Sequence, residues 1–427
     1  MAIIAWGVFA AVASAKVVVS PLNHNSYAPY ELGARLYWAD LNMYEYSANE
    51  FRYGPAFAVA FSPLTVLPAQ LGGLVWLWLN LVAFVWSLRC LAREVLPETW
   101  TPNREGLFLL LALVASYRGL WSLQANTLIF AFVVAAMRAI LHRQWGRAAL
   151  WLALPVHIKV WPIAAALLLV ACWPRRLAAR FTIALLAVAA VPLATKWPSI
   201  VFARYHEWYR ALTGPMQVRH AYRDMWTLWE VLAPPVDKNS YLILQVCTAL
   251  LALALCLWQK RRAATTRQLL TVVLGTWVSW QLLFGPGSER ATFALIAPLA
   301  AWAVVVSFDT ARGRVVMVTA FGLMTLASIG QIERAVVDAF PLVLAAHPVG
   351  TLLFASWFVV HAGRWRCAAH RSDGLLPAFA SAPLGPSSSR RNRIFRSAEP
   401  FVRQLASNPP MWIIRLVKNR VRPAKSG

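Results

Sequence analysis

The sequence predicts an all-α polytopic membrane protein, and three observations support that prediction. The chain has 427 residues, of which 59% are apolar and only 14% are charged. Soluble proteins keep roughly a quarter of their residues charged. Between residues 1 and 361 the apolar residues also form stretches long enough to cross the ~30 Å of hydrocarbon in a bilayer. This composition excludes an ordinary soluble enzyme.

Apolar windows predict the transmembrane helices in order along the chain. They lie near residues 2–19, 70–92, 105–120, 123–141, 177–195, 240–258, 268–284, 290–306, 315–330 and 341–361. The stretch 148–172 differs, because Pro155, His157, Lys159 and Pro162 interrupt its centre. Proline breaks a helix, so we predict a hairpin of two short helices with Lys159 near its turn. The bundle then has about 10–12 transmembrane helices.

The charge distribution predicts the orientation of the chain. The net charge is +24, which in a soluble protein would suggest a nucleic-acid partner. Here the basic residues concentrate in alternate loops and after residue 361, whereas most carboxylates lie in the other loops, 20–56, 196–239, 285–289 and 331–340. Basic loops favour the cytoplasmic side. We therefore expect cytoplasmic N and C termini, an acidic outer face and no nucleic-acid partner.

Two segments follow from this pattern. Residues 1–361 form the predicted transmembrane domain, with long outer loops at 20–56 and 196–239. Residues 362–427 form a basic cytoplasmic tail. We expect this tail to be partly disordered, because a serine-rich linker precedes a run of arginines in it.

The first outer loop has a composition suited to binding sugars. Tyrosines recur along it, together with the carboxylates of Glu31, Asp40, Glu45 and Glu50. Aromatic faces stack on sugar rings, and carboxylates accept protons from hydroxyl groups. The alternative for the tyrosines is an aromatic belt at the level of the lipid headgroups. A belt does not explain the carboxylates.

Polar side chains also occur at the outer ends of the predicted spans, where contact with lipid would be costly. Lys159 would keep its charge best beside an anion such as a lipid phosphate, and the alternative is snorkelling to the headgroups. For Gln124 and Asn126 we consider a role in a site or hydrogen bonding between helices. Glu289 either belongs to the site or pairs with the adjacent Arg290.

The sequence contains no signature of a metal or cofactor. Its histidines lack cysteine or carboxylate partners at ligand spacing, and it has no glycine-rich phosphate loop. We therefore expect neither a metal nor a cofactor.

Several short motifs occur in a fixed order after the first span. They are Phe51-Arg52-Tyr53-Gly54-Pro55, Ser62-Pro63-Leu64, Leu67-Pro68, Trp76, Asn80, Gln124-Ala125-Asn126, Lys159-Val160-Trp161-Pro162 and Gly285-Pro286-Gly287-Ser288-Glu289. In this order they resemble glycosyltransferase family 87 over about residues 1–361. The resemblance implies the GT-C fold of membrane enzymes such as the polyprenyl-phosphate-mannose-dependent mannosyltransferases.

The resemblance also implies an activity and a set of site residues. The activity is inverting transfer of a hexose, mannose in the simplest case, at the outer face of a bacterial inner membrane. The donor would be a polyprenyl-phosphate sugar, and the acceptor a lipid or glycan of the cell envelope. The resemblance implies Lys159 for the donor phosphate, and because the leaving phosphate gains negative charge we also expect Arg290 and Arg52 to stabilise it. We expect Asn25, Glu31, Tyr53, Gln124 and Asn126 to line the substrate.

The general base departs from the family pattern. The resemblance implies an aspartate early in the first outer loop, but Asn25 stands there and cannot take a proton. Asp40 and Glu289 are the carboxylates expected to replace it. Asn25 also leaves open a catalytically silent protein that keeps the fold. A transporter or flippase for lipid or solute is a further alternative, although carboxylates outside the spans favour an enzyme.

Overall fold

The structure is a computed structural model that covers most of the chain. The described residues are 1–23, 25–46, 51–214, 222–232, 237–262, 265–330, 335–337 and 340–372. Within them the chain is helical, and its only strand-like pairing is an isolated antiparallel bridge between Tyr222 and Glu289. The predicted all-α class is therefore confirmed.

The first nine helices include the predicted hairpin. Their bounds are Ala2–Val19 (α1), Tyr27–Trp38 (α2), Met43–Tyr46 (α3), Pro55–Thr65 (α4), Ala69–Cys90 (α5), Pro102–Trp121 (α6), Asn126–Leu141 (α7), Trp145–Ile158 (α8) and Ile163–Cys172 (α9). A π-helical turn, Leu91–Val95, extends α5. Lys159 follows the end of α8 in an extended conformation, and α9 begins at Ile163. The break between two short helices is therefore confirmed.

The remaining helices complete the bundle. Their bounds are Pro174–Ala189 (α10), Pro198–Thr213 (α11), Met225–Leu232 (α12), Lys238–Arg261 (α13), Thr266–Phe284 (α14), Ala297–Ser307 (α15), Ala311–Ala327 (α16) and Ala346–Ser372 (α17). Short 3-10 turns occupy Val191–Ala194, Arg290–Leu295 and Pro341–Ala345. Helix α17 continues past residue 361, and residues 373–427 lie outside the described part, so the boundary and nature of the tail stay a prediction.

The lengths of the helices fit a membrane bundle with several short members. Among the described residues, five helical segments are long and apolar enough to cross a membrane. They are Ala2–Val19, Ala69–Val95, Pro174–Ala194, Lys238–Arg261 and Pro341–Trp365. Helix α9 has 10 residues and α15 has 11, fewer than the roughly 20 that span the hydrocarbon. Composition and helix length together identify an integral membrane protein.

At the end of the bundle where α6 begins, ion pairs connect the polar ends of neighbouring helices. Glu105 in α6 pairs with Arg93 at 3.0 Å, and Glu94 pairs with Arg138 near the end of α7 at 2.7 Å. Arg267 at the start of α14 donates to the Arg93 carbonyl oxygen at 3.0 Å. We call this end of the bundle the basic face.

The other face lies where α6 ends, and the two long predicted loops meet there. The Ser26 amide donates to the carbonyl oxygen of Ser122, just after α6, at 2.8 Å. Arg204 in α11 donates to the carbonyl oxygen of Asp40, just after α2, at 2.7 Å. We call this end the loop face.

The first predicted outer loop is partly helical, because it contains α2 and α3. Three of its tyrosines, Tyr27, Tyr30 and Tyr37, are at most 1% exposed. Tyr30, for example, makes edge-to-face contacts with Tyr53 and Phe57, at ring centroid distances of 4.6 and 5.2 Å. These tyrosines therefore pack inside the protein and do not form a belt at the lipid headgroups.

Candidate active site

Lys159 lies on the loop face, at the turn between α8 and α9. Its Nζ donates to Asn126 Oδ1 at 3.1 Å and to Gln124 Oε1 at 3.5 Å, and it lies 5.5 Å from the centre of the Tyr53 ring. Among the described residues no carboxylate oxygen lies within 4.0 Å of this ammonium. Neutral oxygen atoms and an aromatic ring therefore solvate the cation, which keeps its net charge for an incoming anion.

Two amide side chains connect Lys159 to Glu289. Asn126 Nδ2 donates to Gln124 Oε1 at 2.7 Å and, between helices, to the Ala291 carbonyl oxygen at 3.1 Å. Gln124 Nε2 donates to Glu289 Oε2 at 3.1 Å. Gln124 thus turns its oxygen towards the cation and its nitrogen towards the carboxylate. We call Lys159, Gln124, Asn126 and Glu289 the Lys159 network, which joins predicted site residues from three separate parts of the sequence.

Tyr30 and Tyr53 hold the turn that carries the two amides. The Ala125 amide donates to the Tyr30 hydroxyl oxygen at 3.2 Å, and the Tyr30 hydroxyl donates to the Tyr53 hydroxyl oxygen at 3.1 Å. Burial raises the pKa of Tyr30 to about 12, so its hydroxyl stays protonated near neutral pH. Tyr53 was predicted at the site, but Tyr30 was missed, because nothing local distinguishes it from the other tyrosines of the loop.

The Phe51–Pro55 motif passes directly over the end of α8. The Gly54 amide donates to the carbonyl oxygen of His157 at 3.1 Å, and a Cβ atom on Gly54 would lie only 2.6 Å from that oxygen. Trp208 in α11 donates to the Arg52 carbonyl oxygen at 3.2 Å. The glycine in this motif therefore allows the close approach of two backbone segments beside Lys159.

Arg52 and Glu289 both lie within electrostatic range of Tyr222. Tyr222 and Glu289 face each other in the isolated antiparallel bridge. Burial, and after it the charge of Glu289, raise the pKa of the Tyr222 hydroxyl, whereas the charge of Arg52 opposes them. Arg52 therefore borders the network. Tyr222 is a second neighbour of the network that the sequence did not indicate.

Arg290 follows Glu289 but does not pair with it. The guanidinium of Arg290 lies beside Gly330, where a Cβ atom would be 3.1 Å from Nη1. The Glu289 carboxylate accepts from Gln124, and among the contacts of the described residues no ion pair joins it to Arg290. The alternative of a simple Glu289–Arg290 pair is therefore wrong.

An apolar cavity of about 270 Å³ ends next to the same turn. It lies between α4, α5, α7 and α8, and its lining includes Phe57, Phe61, Trp76, His157 and Ile158. His157 and Ile158 immediately precede the lysine of the network in the chain. A cation beside an apolar cavity suits an amphiphile with an anionic head and a hydrocarbon tail.

Asp40 lies apart from the Lys159 network. Its Oδ1 is 2.8 Å from Lys196 Nζ, and its side chain is 53% exposed. Its backbone has a φ of +57°, which turns the chain after α2. No contact among the described residues connects it with Glu289, so the structure does not bring the two predicted catalytic carboxylates together.

Two further predicted site residues, Glu31 and Asn25, lie in α2 and just before it. Glu31 pairs with Arg35, one helical turn later, at 2.7 Å. Asn25 Oδ1 accepts from the Tyr27 amide at 2.9 Å, and its Nδ2 donates to the Pro21 carbonyl oxygen at 2.7 Å. Asn25 therefore caps the start of α2 with one end of its amide and holds the preceding turn with the other.

The chemical groups of the network suit anion binding and proton transfer. Among the described residues no group of three or more histidine, cysteine or carboxylate side chains could hold a metal ion. The network itself contains one ammonium, two amides and one carboxylate. A carboxylate held by a single amide has one oxygen left to accept a proton.

Comparison with known proteins places this arrangement in a family. The model of glycosyltransferase family 87 matches residues 51–286. The matched part contains the Phe51–Pro55 motif, both amides and Lys159, and it ends just before Glu289. A search of curated proteins finds no match.

Proposed function

The chain belongs to glycosyltransferase family 87, and from that premise we propose that it transfers a hexose, mannose in the simplest case, from a polyprenyl phosphate to a lipid or glycan acceptor. One observation carries the proposal. Lys159 directly follows His157 and Ile158, which line an apolar cavity, and a single amide side chain separates its ammonium from the carboxylate of Glu289.

The donor would bind with its phosphate at Lys159 and its isoprenoid chain in the apolar cavity. The lysine is already surrounded by neutral oxygen atoms, so an arriving phosphate does not have to displace a carboxylate. The aromatic and aliphatic lining of the cavity gives the first isoprene units an environment free of water. Arg52 and Arg290 would add positive charge at longer range.

Glu289 is the better placed of the two candidate bases. The acceptor hydroxyl oxygen would form a bond to the anomeric carbon as the bond from that carbon to the phosphate oxygen breaks, with inversion. The hydroxyl proton would pass to Glu289 Oε1 while Gln124 holds Oε2. The lipid phosphate would leave with one more negative charge, which Lys159 stabilises. Asp40 already pairs with Lys196 and is less suited to this role.

We further propose that the loop face is the outer face of a bacterial inner membrane. The first turns of α1 and the second half of α17 lie near the basic face. Trp6 in α1 donates to the carbonyl oxygen of Leu109 in the first half of α6, and His361 in α17 lies 3.7 Å from Glu98. The excess of basic residues on that face favours the cytoplasm.

Transfer of radiolabelled mannose tests the proposal. The full-length protein would be purified into lipid nanodiscs and given polyprenyl-phosphate mannose with a membrane lipid extract as acceptor. We expect Lys159→Met and Glu289→Gln to lower transfer by about 100-fold or more. Their matched controls, Lys196→Met and Asp40→Asn, should keep most of the activity. Full activity in Glu289→Gln would remove this residue as the base.

The same assay decides between the enzyme and the two alternatives. A silent protein shows no transfer with any polyprenyl-phosphate hexose, and in the sharpest case Asn25→Asp then restores it. A transporter moves the labelled lipid between the two leaflets of a vesicle without transferring its sugar. Transfer by the wild-type chain rules out the silent protein.

A further inference from the structure

A second cavity, of about 380 Å³, lies on the loop face outside the Lys159 network. It is enclosed by α12, the first turns of α13 and the turn at 285–287. Its lining includes Trp226, Glu230, Asn239 and Tyr241. The sequence indicated none of these four residues as part of a site.

Aromatic rings and planar polar groups alternate in the lining of this cavity. The rings of Trp226 and Tyr241 meet edge to face with centroids 4.8 Å apart. Trp226 Nε1 donates to Glu230 Oε1 at 2.6 Å, which fixes the indole and orients the carboxylate. The amides of Asn239 and Gln245 add donors and acceptors. A sugar ring presents an apolar face and a rim of hydroxyl groups. The aromatic rings of the cavity match the face, and its polar side chains match the hydroxyl groups.

The charges of the cavity distinguish it from the donor site. Asp224 and Glu230 contribute two carboxylates, and Lys238 contributes one ammonium. The two carboxylates disfavour a phosphate, whereas the ammonium of Lys159 directly contacts only amide oxygen atoms and an aromatic ring. A neutral ligand with hydroxyl donors suits the cavity better.

The cavity is connected to Glu289 through the backbone. The turn 285–287 lines the cavity, and Glu289 follows two residues later. Tyr222 also lines it and faces Glu289 in the antiparallel bridge, which the bond from the Arg223 amide to the Ser288 carbonyl oxygen, at 2.8 Å, extends. A sugar bound here would therefore lie next to the proposed base.

We propose that this cavity binds a neutral hexose unit of the acceptor. The inference rests on the proposed function, in which an acceptor hydroxyl must reach Glu289. It assigns the two ligands to separate places: the donor lipid to the apolar cavity and Lys159, and the acceptor sugar to the cavity between α12 and α13.

Binding of simple glycosides tests the inference without requiring turnover. Full-length protein in nanodiscs would be mixed with methyl α-mannoside, methyl α-glucoside or methyl α-galactoside, and saturation-transfer NMR would report binding. We expect at least one glycoside to bind, and Trp226→Ala to bind it roughly tenfold more weakly. Asn239→Ala, a smaller change at an exposed residue, should weaken binding as well. Trp229→Ala is the matched control, since it removes an indole from the same helix outside the cavity lining.

The possible outcomes separate this inference from the proposed function. No binding of any of the three glycosides, or equal binding by wild type and both cavity variants, overturns the inference. Lys159→Met should keep glycoside binding while it loses hexosyl transfer. Binding by a wild-type chain that transfers no hexose would refute the proposed function and leave the acceptor-like site standing.

Discussion

Gly54 donates its amide hydrogen to the carbonyl oxygen of His157, with 3.1 Å between nitrogen and oxygen. This bond joins the end of the first long connection to the last turn of α8, two residues before Lys159. It therefore helps to fix the position of Lys159 after the end of α8. A Cβ atom at position 54 would lie 2.6 Å from the same carbonyl oxygen, so this position has no room for a side chain.

We expect Gly54→Ala to destabilise the protein by roughly 1–3 kcal/mol, the usual cost of overpacking. The backbone of Gly54 (φ −66°, ψ 153°) suits alanine, so the cost is steric: the new Cβ would lie 2.6 Å from the His157 oxygen. Hexosyl transfer should fall as well, because Lys159 moves with α8. Thermal unfolding and the transfer assay measure both effects. Gly146→Ala in α8, the helix that Gly54 contacts, is the matched control, since a Cβ there meets nothing within 4 Å. Equal unfolding temperatures for the two variants would contradict the prediction.

Removal of the Tyr30 hydroxyl should loosen the turn that holds Gln124 and Asn126. In Tyr30→Phe the Ala125 amide loses its acceptor inside the protein, and an unsatisfied buried amide costs about 1–3 kcal/mol. We expect a lower unfolding temperature and weaker transfer. Tyr209→Phe provides the control, because Tyr209 is 64% exposed. If both variants unfold alike, the hydroxyl of Tyr30 does not support the turn.

Filling the apolar cavity should weaken binding of the donor lipid and leave the fold intact. Ala60 lines this cavity and is exposed, so Ala60→Trp adds an indole without displacing core atoms. We expect KM for a long polyprenyl donor to rise roughly tenfold, the effect of losing about 1.4 kcal/mol of apolar contact. A donor with one or two isoprene units should be less affected. Val82→Trp places the same bulk on an exposed position of α5, and a similar rise in KM there would show that the effect is not specific to the cavity.

The start of α13 should fray in acid. Asp237 Oδ1 accepts from the amides of Asn239 and Ser240 at 2.9 and 3.0 Å, and hydrogen bonds, those with Ser240 foremost, lower the pKa of this carboxyl below its ordinary 3.8. A lowered folded-state pKa means that the stabilising effect is complete above the unfolded pKa, about 4, and is lost as the pH falls through the folded value. Hydrogen-exchange protection of residues 238–241 should therefore decrease below about pH 4. Asp237→Asn keeps the cap but should lose this pH dependence.

Local sequence signals predicted the fold well, and contacts distant in sequence explain what they missed. The break at Lys159 was predictable because Pro155 and Pro162 flank it within four residues. The bond between Gln124 and Glu289 joins residues 165 positions apart, and no local pattern encodes it. Asp40 looked as suitable a base as Glu289 for the same reason: its pairing with Lys196 depends on how the two long connections fold together.

Asn25 shows how a local structure can account for a departure from a family pattern. A helix cap needs an acceptor at this position, which both aspartate and asparagine provide. The second bond, from Nδ2 to the Pro21 carbonyl oxygen, requires a donor and therefore favours asparagine. The sequence alone could show only that the proton acceptor was missing.

If the proposed lipid donor is correct, the bonds beside the α8–α9 turn would also determine how that lipid reaches Lys159. Helix α8 has 14 residues, about 21 Å in length, and the segment from Arg52 to Gly54 is bonded to both α8 and α11 above the turn. A long hydrocarbon tail could not pass this bonded segment without breaking its hydrogen bonds. The lipid would instead slide in sideways from the surrounding leaflet, between α4 and α8, with its head group following the tail down to the lysine. Sugar transfer by this protein would then depend on the state of the leaflet beside α4 as well as on the groups that perform the chemistry.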